Sequence, residues 1–396
     1  MISDLPLSGL KIIDLTNIIM GPYTTQLLGD LGADVIKVED IKGDMTRSIG
    51  IQKSPDMASM YLGVNRNKRS ITLDLKQNIS KKVLWKLIKR SDVLIHNMRP
   101  QKINRLGFTP TKVKKKNKKI IFVGLYGYGK LGAYTGQPAF DDIIQGQSGL
   151  ASLYKIGKKE PLFVPSVIAD KTIGLLASTA LLSAYIKVLR KGEGSCVEIS
   201  MFEGMASYVL LEHQYGQMFS PSKGTAGYPR LLSKNRKPYR TKDGYICILP
   251  YTDKQWLNFF EIIDRKDLKN DKRFSNIKER SKDINLLYKL IKESVKEKTN
   301  QQLCKVLKKN DIPHGVVNTL ENLQKDKHLK KVNFFRKIRH PTEGNLVSPD
   351  TGIKINSMSL PIRKHQPSLG ENSTEILEEI GYSSDEIKKI LNINKK

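Results

Sequence analysis

Asp170 is the residue of this sequence whose surroundings most favour chemistry. It ends a mostly apolar segment, residues 165–169, and begins a long apolar stretch that is typical of a buried helix. A carboxylate in such a place is partly desolvated, and it can act as a nucleophile or as an acid–base group. The same position also suits an ordinary helix N-cap, which contributes about 1 kcal/mol to stability. Asp141 and Asp142, at the start of another predicted helix, leave the same two interpretations open.

Other kinds of catalytic site lack their sequence signatures. The six histidines show neither HxH nor HExxH spacing, so we expect no metal site. The cysteines, Cys196, Cys247 and Cys304, lie far apart without CxxC spacing, and no GxSxG motif marks a hydrolase. Residues 14–22, after the first predicted strand, form neither a GxGxxG nor a Walker loop, which argues against a nicotinamide or ATP enzyme. The chemistry is therefore expected to come from carboxylates.

The chain is strongly basic, with a formal net charge of +29 over 396 residues. Its 68 basic residues divide into 52 lysines and 16 arginines, and this excess of lysine over arginine is typical of a genome-wide codon bias. Between residues 76 and 119, 15 basic residues accompany a single acidic residue, Asp92. Such a stretch predicts contact with nucleic acid, with membrane phosphates or with an anionic small ligand, unless it is only a solvated lysine face.

The pattern of apolar residues predicts two kinds of domain. Strands at 10–15 and 34–38 flank a helix at 22–31, and this alternation of strands and helices is typical of an α/β domain with a parallel sheet. Residues 238–251 predict a hairpin with an Asp-Gly turn, followed by helices, which indicates a smaller α+β domain. We therefore predict a large α/β domain over 1–219, a linker over 220–235, a small domain over 236–325, and a return segment over 326–396 whose C-terminal helices pack on the large domain.

The sequence gives no sign of export or of a membrane span. Its first ten residues lack a basic region followed by an apolar run, and no stretch approaches the roughly 18 uninterrupted apolar residues that a membrane helix needs. Because the cysteines also lack the spacing of a disulfide framework, we expect a protein of the reducing cytoplasm.

Several long motifs occur together in one order along the chain. They are PLSGL at 6–10, LGADVIKVE at 31–39, GDMTR at 43–47, NRNKRSITLDLK at 65–76, NMRP at 97–100 and RLG at 105–107. In these motifs the chain resembles the class III CoA-transferases, the family of formyl-CoA transferase, carnitine-CoA transferase and the 2-methylacyl-CoA racemases. The resemblance implies a Rossmann-like parallel sheet in the large domain and an interlocked homodimer.

The resemblance also implies roles for individual residues. It places the family's nucleophilic aspartate at Asp170 and a neighbouring acidic residue at Asp141. It implies that coenzyme A lies against Ile18, Ile19, Leu73, Lys76, Asn97, Met98, Arg99 and Arg105. Arginine and lysine suit phosphate groups, so coenzyme A accounts for part of the basic stretch.

The function implied by the resemblance is CoA transfer from an acyl-CoA to a small carboxylic acid, with a dicarboxylate such as succinate as the expected partner. The reaction is expected to pass through an aspartyl anhydride, with coenzyme A as substrate and no metal. A 2-methylacyl-CoA racemase is the first alternative. A basic nucleic-acid-binding protein is the second, although no recognition motif or aromatic platform is visible, and we expect neither nucleic acid nor a membrane as partner.

Three positions depart from the family patterns. The racemases carry a histidine directly before aspartate where this chain has Phe140 and Asp141. Formyl-CoA transferase has a basic residue where this chain has Asp40, and it carries a glycine run in the small domain that is missing here. We therefore expect a different acyl pocket and no formyl or oxalyl specificity.

Overall fold

The computed structural model describes residues 5–155 and 160–393. Its strands are β1 (Lys11–Leu15), β2 (Asp34–Glu39), β3 (Lys68–Thr72), β4 (Val93–His96), β5 (Ile121–Tyr126), β6 (Cys196–Ser200), β7 (Tyr239–Arg240), β8 (Tyr245–Ile248), β9 (His314–Val316), β10 (Phe335–His340), β11 (Gly344–Pro349), β12 (Lys354–Ile355) and β13 (Met358–Ser359). Its α-helices are α1 (Met20–Asp30), α2 (Ser59–Val64), α3 (Asn78–Lys89), α4 (Pro100–Leu106), α5 (Pro110–Lys116), α6 (Asp141–Gln147), α7 (Ile168–Lys191), α8 (Met201–His213), α9 (Asp253–Ile262), α10 (Ile277–Lys282), α11 (Ile284–Val295), α12 (Asn300–Lys309), α13 (Leu320–Leu323), α14 (Lys327–Lys331), α15 (Ser373–Glu379) and α16 (Ser384–Ile393).

The chain divides into two compact units. The first contains residues 1–150, 163–208 and 332–396, and the second contains residues 151–162 and 209–331. These boundaries differ from the predicted domain bounds in two ways. Residues 151–162 belong to the second unit, and the predicted linker 220–235 lies inside that unit.

A six-stranded parallel sheet organises the first unit, in the order β3-β2-β1-β4-β5-β6. The inner strands are apolar and buried on both faces, as parallel strands covered by helices must be. This strand order reverses between β1 and β4, where Leu15 lies opposite His96. In open α/β sheets a crevice forms at such a reversal, outside the carboxyl ends of the strands. The predicted α/β fold with a parallel sheet is therefore confirmed.

The C-terminal segment belongs to the first unit. In α15 and α16 the apolar side chains Ile376, Leu377 and Ile387 are buried in the same core as the strands. Arg69 of β3 joins this segment to the sheet, since its guanidinium contacts Glu375 at 2.8 Å and Glu379 at 2.7 Å. These helices pack on the first unit because burial of their apolar side chains is favourable.

The second unit has its own core. The antiparallel sheet β7-β8-β9 packs with α9, α11 and α12 around the buried aromatic side chains of Trp256, Phe259 and Phe260. The Asp243-Gly244 turn predicted from the sequence connects β7 to β8, and Gly244 takes a φ of 157° there. Helices α9 and α12 each begin with a capping box, at Thr252 and Thr299.

The N-cap interpretation of the three aspartates is wrong. Asp170 is the third residue of α7, whose N-cap is Val167. Asp141 and Asp142 are the first two residues of α6, whose N-cap is Phe140. Side chains in the first turn of a helix do not occupy the capping position, so these carboxylates are available for other contacts.

Candidate active site

Two cavities of the first unit meet at the strand reversal. The Asp170 cavity, of about 200 Å³, is bordered by Asp170 and by the N-terminal end of α1. The Lys76 cavity, of about 310 Å³, is bordered by Lys76 and by the segment after β2. Asn17, Ile18 and Asn97 border both, so the loop after β1 and the residue after β4 form the wall between them.

Asn97 fixes this wall through its side-chain amide. Its Oδ1 accepts a hydrogen bond from the backbone N–H of Asn17 at 3.1 Å, and its Nδ2 donates to the Asn17 carbonyl at 2.7 Å. The Asn17 side chain is engaged in turn, since its Oδ1 accepts from the backbone N–H of Ile18 and of Met45. Asn97, which the sequence predicts to contact coenzyme A, holds the loop after β1 in place.

Ile18 takes a backbone conformation that β-branched residues rarely adopt. Its φ is +74°, in the left-handed region, where such a residue is strained by about 1–3 kcal/mol. The hydrogen bond from its N–H to Oδ1 of Asp44, at 3.2 Å, helps to hold this conformation. The contacts around this loop therefore hold Ile18 in a backbone conformation that it would not adopt by itself.

A buried ion pair supports the loop from below. Lys37 Nζ lies 2.7 Å from Asp44 Oδ2, both side chains are fully buried, and Lys37 also donates to the Thr16 carbonyl at 3.0 Å. Burial opposes both charges. The charge and hydrogen bond of Lys37, with hydrogen bonds from Thr46, together lower the pKa of Asp44, and the nearby carboxylates, Asp44 first among them, together raise the pKa of Lys37. The pair therefore stays ionised at neutral pH and keeps the loop and the segment after β2 together.

Asp170 is partly buried where α7 crosses α1. The helices approach closely at Gly174, where an added Cβ would lie 3.0 Å from the Met20 carbonyl oxygen, and Thr24 Oγ1 donates to the Gly174 carbonyl at 3.1 Å. Burial, and then the neighbouring charge of Asp141, raise the pKa of Asp170 to about 7. The carboxyl group is therefore poised between its acid and its anionic form at neutral pH.

Asp141 positions the start of α7. Its Oδ1 accepts a hydrogen bond from the backbone N–H of Asp170 at 3.0 Å, and its Oδ2 accepts from Gln145 Nε2 at 2.6 Å. Gln145 also holds the segment before α7, because its Oε1 accepts from the N–H of Val164 at 2.9 Å. Asp141 is buried and does not border the Asp170 cavity, whereas Phe140 does.

The predicted binding residues fall mainly around the two cavities. Ile19 and Arg99 border the Asp170 cavity, while Leu73, Lys76 and Met98 border the Lys76 cavity. Arg105 borders neither and lies exposed on α4. Asp40, the acidic departure from formyl-CoA transferase, does border the Lys76 cavity.

Sequence reasoning missed several residues at this site. Lys102 borders the Lys76 cavity, one turn before Arg105 on the same face of α4. Lys37 and Asp44 lie within the quoted motifs LGADVIKVE and GDMTR, but charged residues in a motif do not reveal that they pair in the interior.

Two further features of the described residues concern a metal site and a membrane-spanning helix. Within residues 5–155 and 160–393, no group of three or more His, Cys, Asp and Glu side chains could hold a metal ion. One described helix, α7, is long and apolar enough to cross a membrane by length and composition, and 33% of its most apolar window is buried. Its inward side chains, Ile173, Ala177 and Leu181, pack in the core of the first unit, as in the core helix of a globular protein.

Nearly the whole chain is similar in sequence to known CoA-transferases. Residues 7–373 match the family model described as CoA-transferase family III. A formyl-CoA:oxalate CoA-transferase of Rhodopseudomonas palustris (strain BisA53) is 30% identical over 97% of this chain and 96% of the relative. The human succinyl-CoA:glutarate CoA-transferase is 27% identical over 95% of this chain and 86% of the relative. A cinnamoyl-CoA:phenyllactate CoA-transferase of Clostridium sporogenes is also 27% identical, over 97% and 95% of the two chains.

Solved structures give the same result for the fold. A CAIB/BAIF family protein from Brucella suis superposes with a TM-score of 0.79 and 28% identity, over 95% of this chain and 99% of its own. A protein from M. tuberculosis in an orthorhombic crystal form superposes with a TM-score of 0.81 and 25% identity, over 94% and 99% of the two chains.

Replacing Asp170 with asparagine should stabilise the fold, and more so at high pH. The folded pKa, about 7, lies above the value of about 3.9 in an unfolded chain, so the wild type loses stability as the pH rises from about 4 to 7. Asparagine cannot ionise and escapes this loss. Scanning calorimetry should show a melting temperature for Asp170→Asn that exceeds the wild-type value at pH 8 and approaches it near pH 4.5.

The exposed neighbour Asp142→Asn is the control, and its melting temperature should follow the wild type at both pH values. An Asp170→Asn variant that is no more stable than the wild type at pH 8 would contradict the buried-charge account.

Proposed function

This chain belongs to CoA-transferase family III, and on that premise we propose that Asp170 is the nucleophile through which CoA passes between an acyl-CoA and a carboxylic acid. The observation that carries the proposal is the position of Asp170, a partly buried carboxyl group with a pKa of about 7 that borders a cavity at the strand reversal. Carboxylates in water are poor nucleophiles, and partial desolvation strengthens this one while about half of it stays ionised at pH 7.

The proposed reaction begins when a carboxylate oxygen of Asp170 attacks the thioester carbonyl carbon. The carbon–sulfur bond breaks, CoA leaves as a thiolate, and an anhydride joins the acyl group to Asp170. The thiolate then attacks the aspartyl carbonyl, which releases the donor acid and leaves CoA on Asp170. An acceptor carboxylate reverses these two steps and leaves with CoA, so no external energy source is needed.

Charge develops on the carbonyl oxygen during each attack. The Asp170 cavity is bordered by Ile19 and Met20, at the N-terminal end of α1. The first amide groups of a helix have no intrahelical acceptor and carry partial positive charge, so they suit a developing oxyanion.

The acceptor that we propose is a small acid, with a dicarboxylate such as succinate as the first to test. A cavity of about 200 Å³ has room for a short acyl group. The relatives act on acids as different as oxalate, glutarate and phenyllactate, and a free carboxylate is what these acids share.

The racemase alternative lacks its expected second acid–base group at positions 140 and 141. Racemisation next to the thioester needs one group on each face of the carbon. Phe140 cannot carry a proton, and both carboxylate oxygens of Asp141 already accept hydrogen bonds while Asp141 does not border the cavity. We therefore propose the transferase.

The test of this mechanism is to trap the activated aspartate. Incubation with a short acyl-CoA and hydroxylamine should convert Asp170 to its hydroxamate, because an anhydride or thioester on the carboxyl group is attacked by this nucleophile. Peptide mass spectrometry locates the label, and succinyl-CoA formation from added succinate is followed in parallel.

Asp170→Asn should show neither label nor transfer, whereas Asp142→Asn should behave as the wild type. A label on a different residue, or transfer by Asp170→Asn, would refute Asp170 as the nucleophile.

We propose that the phosphates of CoA lie along one face of α4. Arg99 is its N-cap, and Lys102 and Arg105 follow at spacings of three residues, which places them on one side of the helix. Lys102 borders the Lys76 cavity, and the exposed Arg105 side chain is one turn further along. Lys102 and Lys76 border the same cavity as Asp40 and offset its negative charge.

Lys102→Ala and Arg105→Ala should each weaken CoA binding about tenfold or more, since a charge-assisted contact contributes about 1.5–3 kcal/mol. Lys112→Ala on α5 removes an equally exposed cation and should leave the affinity unchanged. Titration calorimetry with CoA measures all three. If both α4 variants bind CoA as tightly as the wild type does, the phosphates of CoA do not lie along this face of α4.

The buried Lys37–Asp44 pair should affect CoA binding although Lys37 borders neither cavity. In the double variant Lys37→Met, Asp44→Asn, the loop loses its support without leaving an unpaired buried charge. We expect the KM for acyl-CoA to rise about tenfold, in line with the loss of one hydrogen bond to a charged group. The kcat should change less, because Asp141 holds Asp170 independently of this pair.

The matched control replaces another buried pair of the first unit, Arg66→Met with Asp30→Asn, whose charged atoms lie 2.7 Å apart. This variant should lose stability while its KM stays at the wild-type value. If the two double variants have the same KM for acyl-CoA, the loop after β1 does not contribute to CoA binding in the way that we propose.

We propose that the enzyme is a homodimer, supported by the apolar outer face of α7. Leu175, Leu176, Ile186 and Leu189 are exposed there, and apolar patches of this kind mark contact surfaces. Light scattering should give twice the mass of one chain. Ile186→Glu with Leu189→Glu should lower this mass, whereas Gln77→Glu with Asn104→Glu, on polar exposed positions, should not. A wild-type mass equal to one chain would contradict the dimer.

A further inference from the structure

A third cavity of the first unit is bordered mainly by positively charged residues. It is an open cleft of about 620 Å³, bordered by β10 and by the segment 362–367. We call it the basic cleft. It shares no bordering residue with the Asp170 cavity or the Lys76 cavity. The basic residues that border it are Lys68, Arg336, Lys337, Arg339, Arg363, Lys364 and His365.

Only part of this charge is neutralised within the chain. Arg336 pairs with Asp350 at 3.2 Å, and His365 contacts Glu371, the one acidic residue on the border, at 2.8 Å. The ammonium group of Lys68 points to Asp14, at 3.2 Å. In the described part of the chain, the cations of the cleft without a carboxylate oxygen within 4.0 Å are Lys337, Arg339, Arg363 and Lys364.

Arg363 is held in place by backbone carbonyl groups. Its Nη2 donates to the carbonyl oxygens of Gly29 at 2.6 Å and of Ala33 at 3.0 Å, at the end of α1. Its Nε is buried and has no hydrogen-bond partner among the described residues. Carbonyl groups orient a guanidinium but carry no net charge, and the carboxylates of Asp34 and Asp30 act on Arg363 without an ion pair within 4.0 Å among the described residues.

The kind of cation is informative in this chain. Lysines outnumber arginines by 52 to 16, yet three of the twelve residues that border the cleft are arginines. A codon bias toward lysine explains a solvated lysine surface and does not explain this concentration of arginine. Arginine presents a planar fork of donors that matches phosphate oxygens in a bidentate manner.

We propose that the basic cleft is a binding site for a compact anion that carries two or more phosphate groups. Its volume lies within the range of about 300–1,000 Å³ that is typical of small-molecule sites. No Phe, Tyr or Trp borders it, so it offers no platform on which a nucleobase would stack. The apolar border consists only of Ile338, Ile362 and Pro367, and recognition therefore rests on the phosphates.

The experiment is a calorimetric titration with tripolyphosphate at about 0.15 M salt, where contacts between widely separated surface charges are largely screened. It is done with and without saturating CoA. The cleft variant is Arg339→Gln with Lys364→Gln. The matched control, Arg190→Gln with Lys191→Gln, removes one arginine and one lysine at the exposed end of α7, which leads into β6 at the opposite edge of the sheet from β3.

We expect one tripolyphosphate per chain, the same binding curve with and without CoA, and an affinity at least about tenfold lower in the cleft variant. The control variant should bind as the wild type does. Displacement by CoA, an equal loss in both variants, or the absence of saturable binding would each overturn the proposal. A lower oligomeric mass of the cleft variant in light scattering would assign the cleft to a contact between two copies and would overturn it as well.

Discussion

The buried Lys37–Asp44 ion pair is the constraint on which the region of the proposed active site depends. Both side chains are fully buried, so each charge would be costly without the other. Their positions are set by β2 and by the turn that follows it, and both side chains reach back to the loop after β1. The loop therefore cannot relax independently of the sheet. The strained backbone of Ile18 persists because its surroundings determine it from several sides.

A parallel buried pair lies under the same loop. Lys68 contacts Asp14 at 3.2 Å, and Asp14 also accepts hydrogen bonds from Thr16 and Thr25. Despite burial, which acts in the opposite direction, Lys68 and Lys37 lower the pKa of Asp14 to about 2. Two charge pairs beneath one short loop give the wall between the cavities a rigidity that hydrophobic packing alone does not provide, because hydrogen bonds and ion pairs are directional.

Asp170 is positioned by a different set of contacts. Asp141 accepts the backbone N–H of Asp170, Gln145 fixes Asp141, and the close approach at Gly174 fixes α7 against α1. The charge of Asp141 also helps to raise the pKa of Asp170. One carboxylate thus orients the other and tunes its acidity. The contacts that support the loop beside the Lys76 cavity and the contacts that support Asp170 are separate, so each can be perturbed independently.

The sequence by itself determined the fold class, and its motifs led to residues most of which border the two cavities. Parallel strands buried on both faces are mostly apolar, so β1, β2 and β4 are visible as short apolar runs in spite of the buried Asp14 and Lys37, and the motifs led to Asp170, Lys76 and Asn97. It did not reveal that Asn97 closes on the backbone of Asn17, or that Lys37 and Asp44 pair in the interior. It also left Asp170 open to an N-cap interpretation, since only the backbone shows which residue begins the helix. These features depend on contacts between segments far apart in the chain, and local sequence carries the type of each side chain but not the partner that folding brings to it.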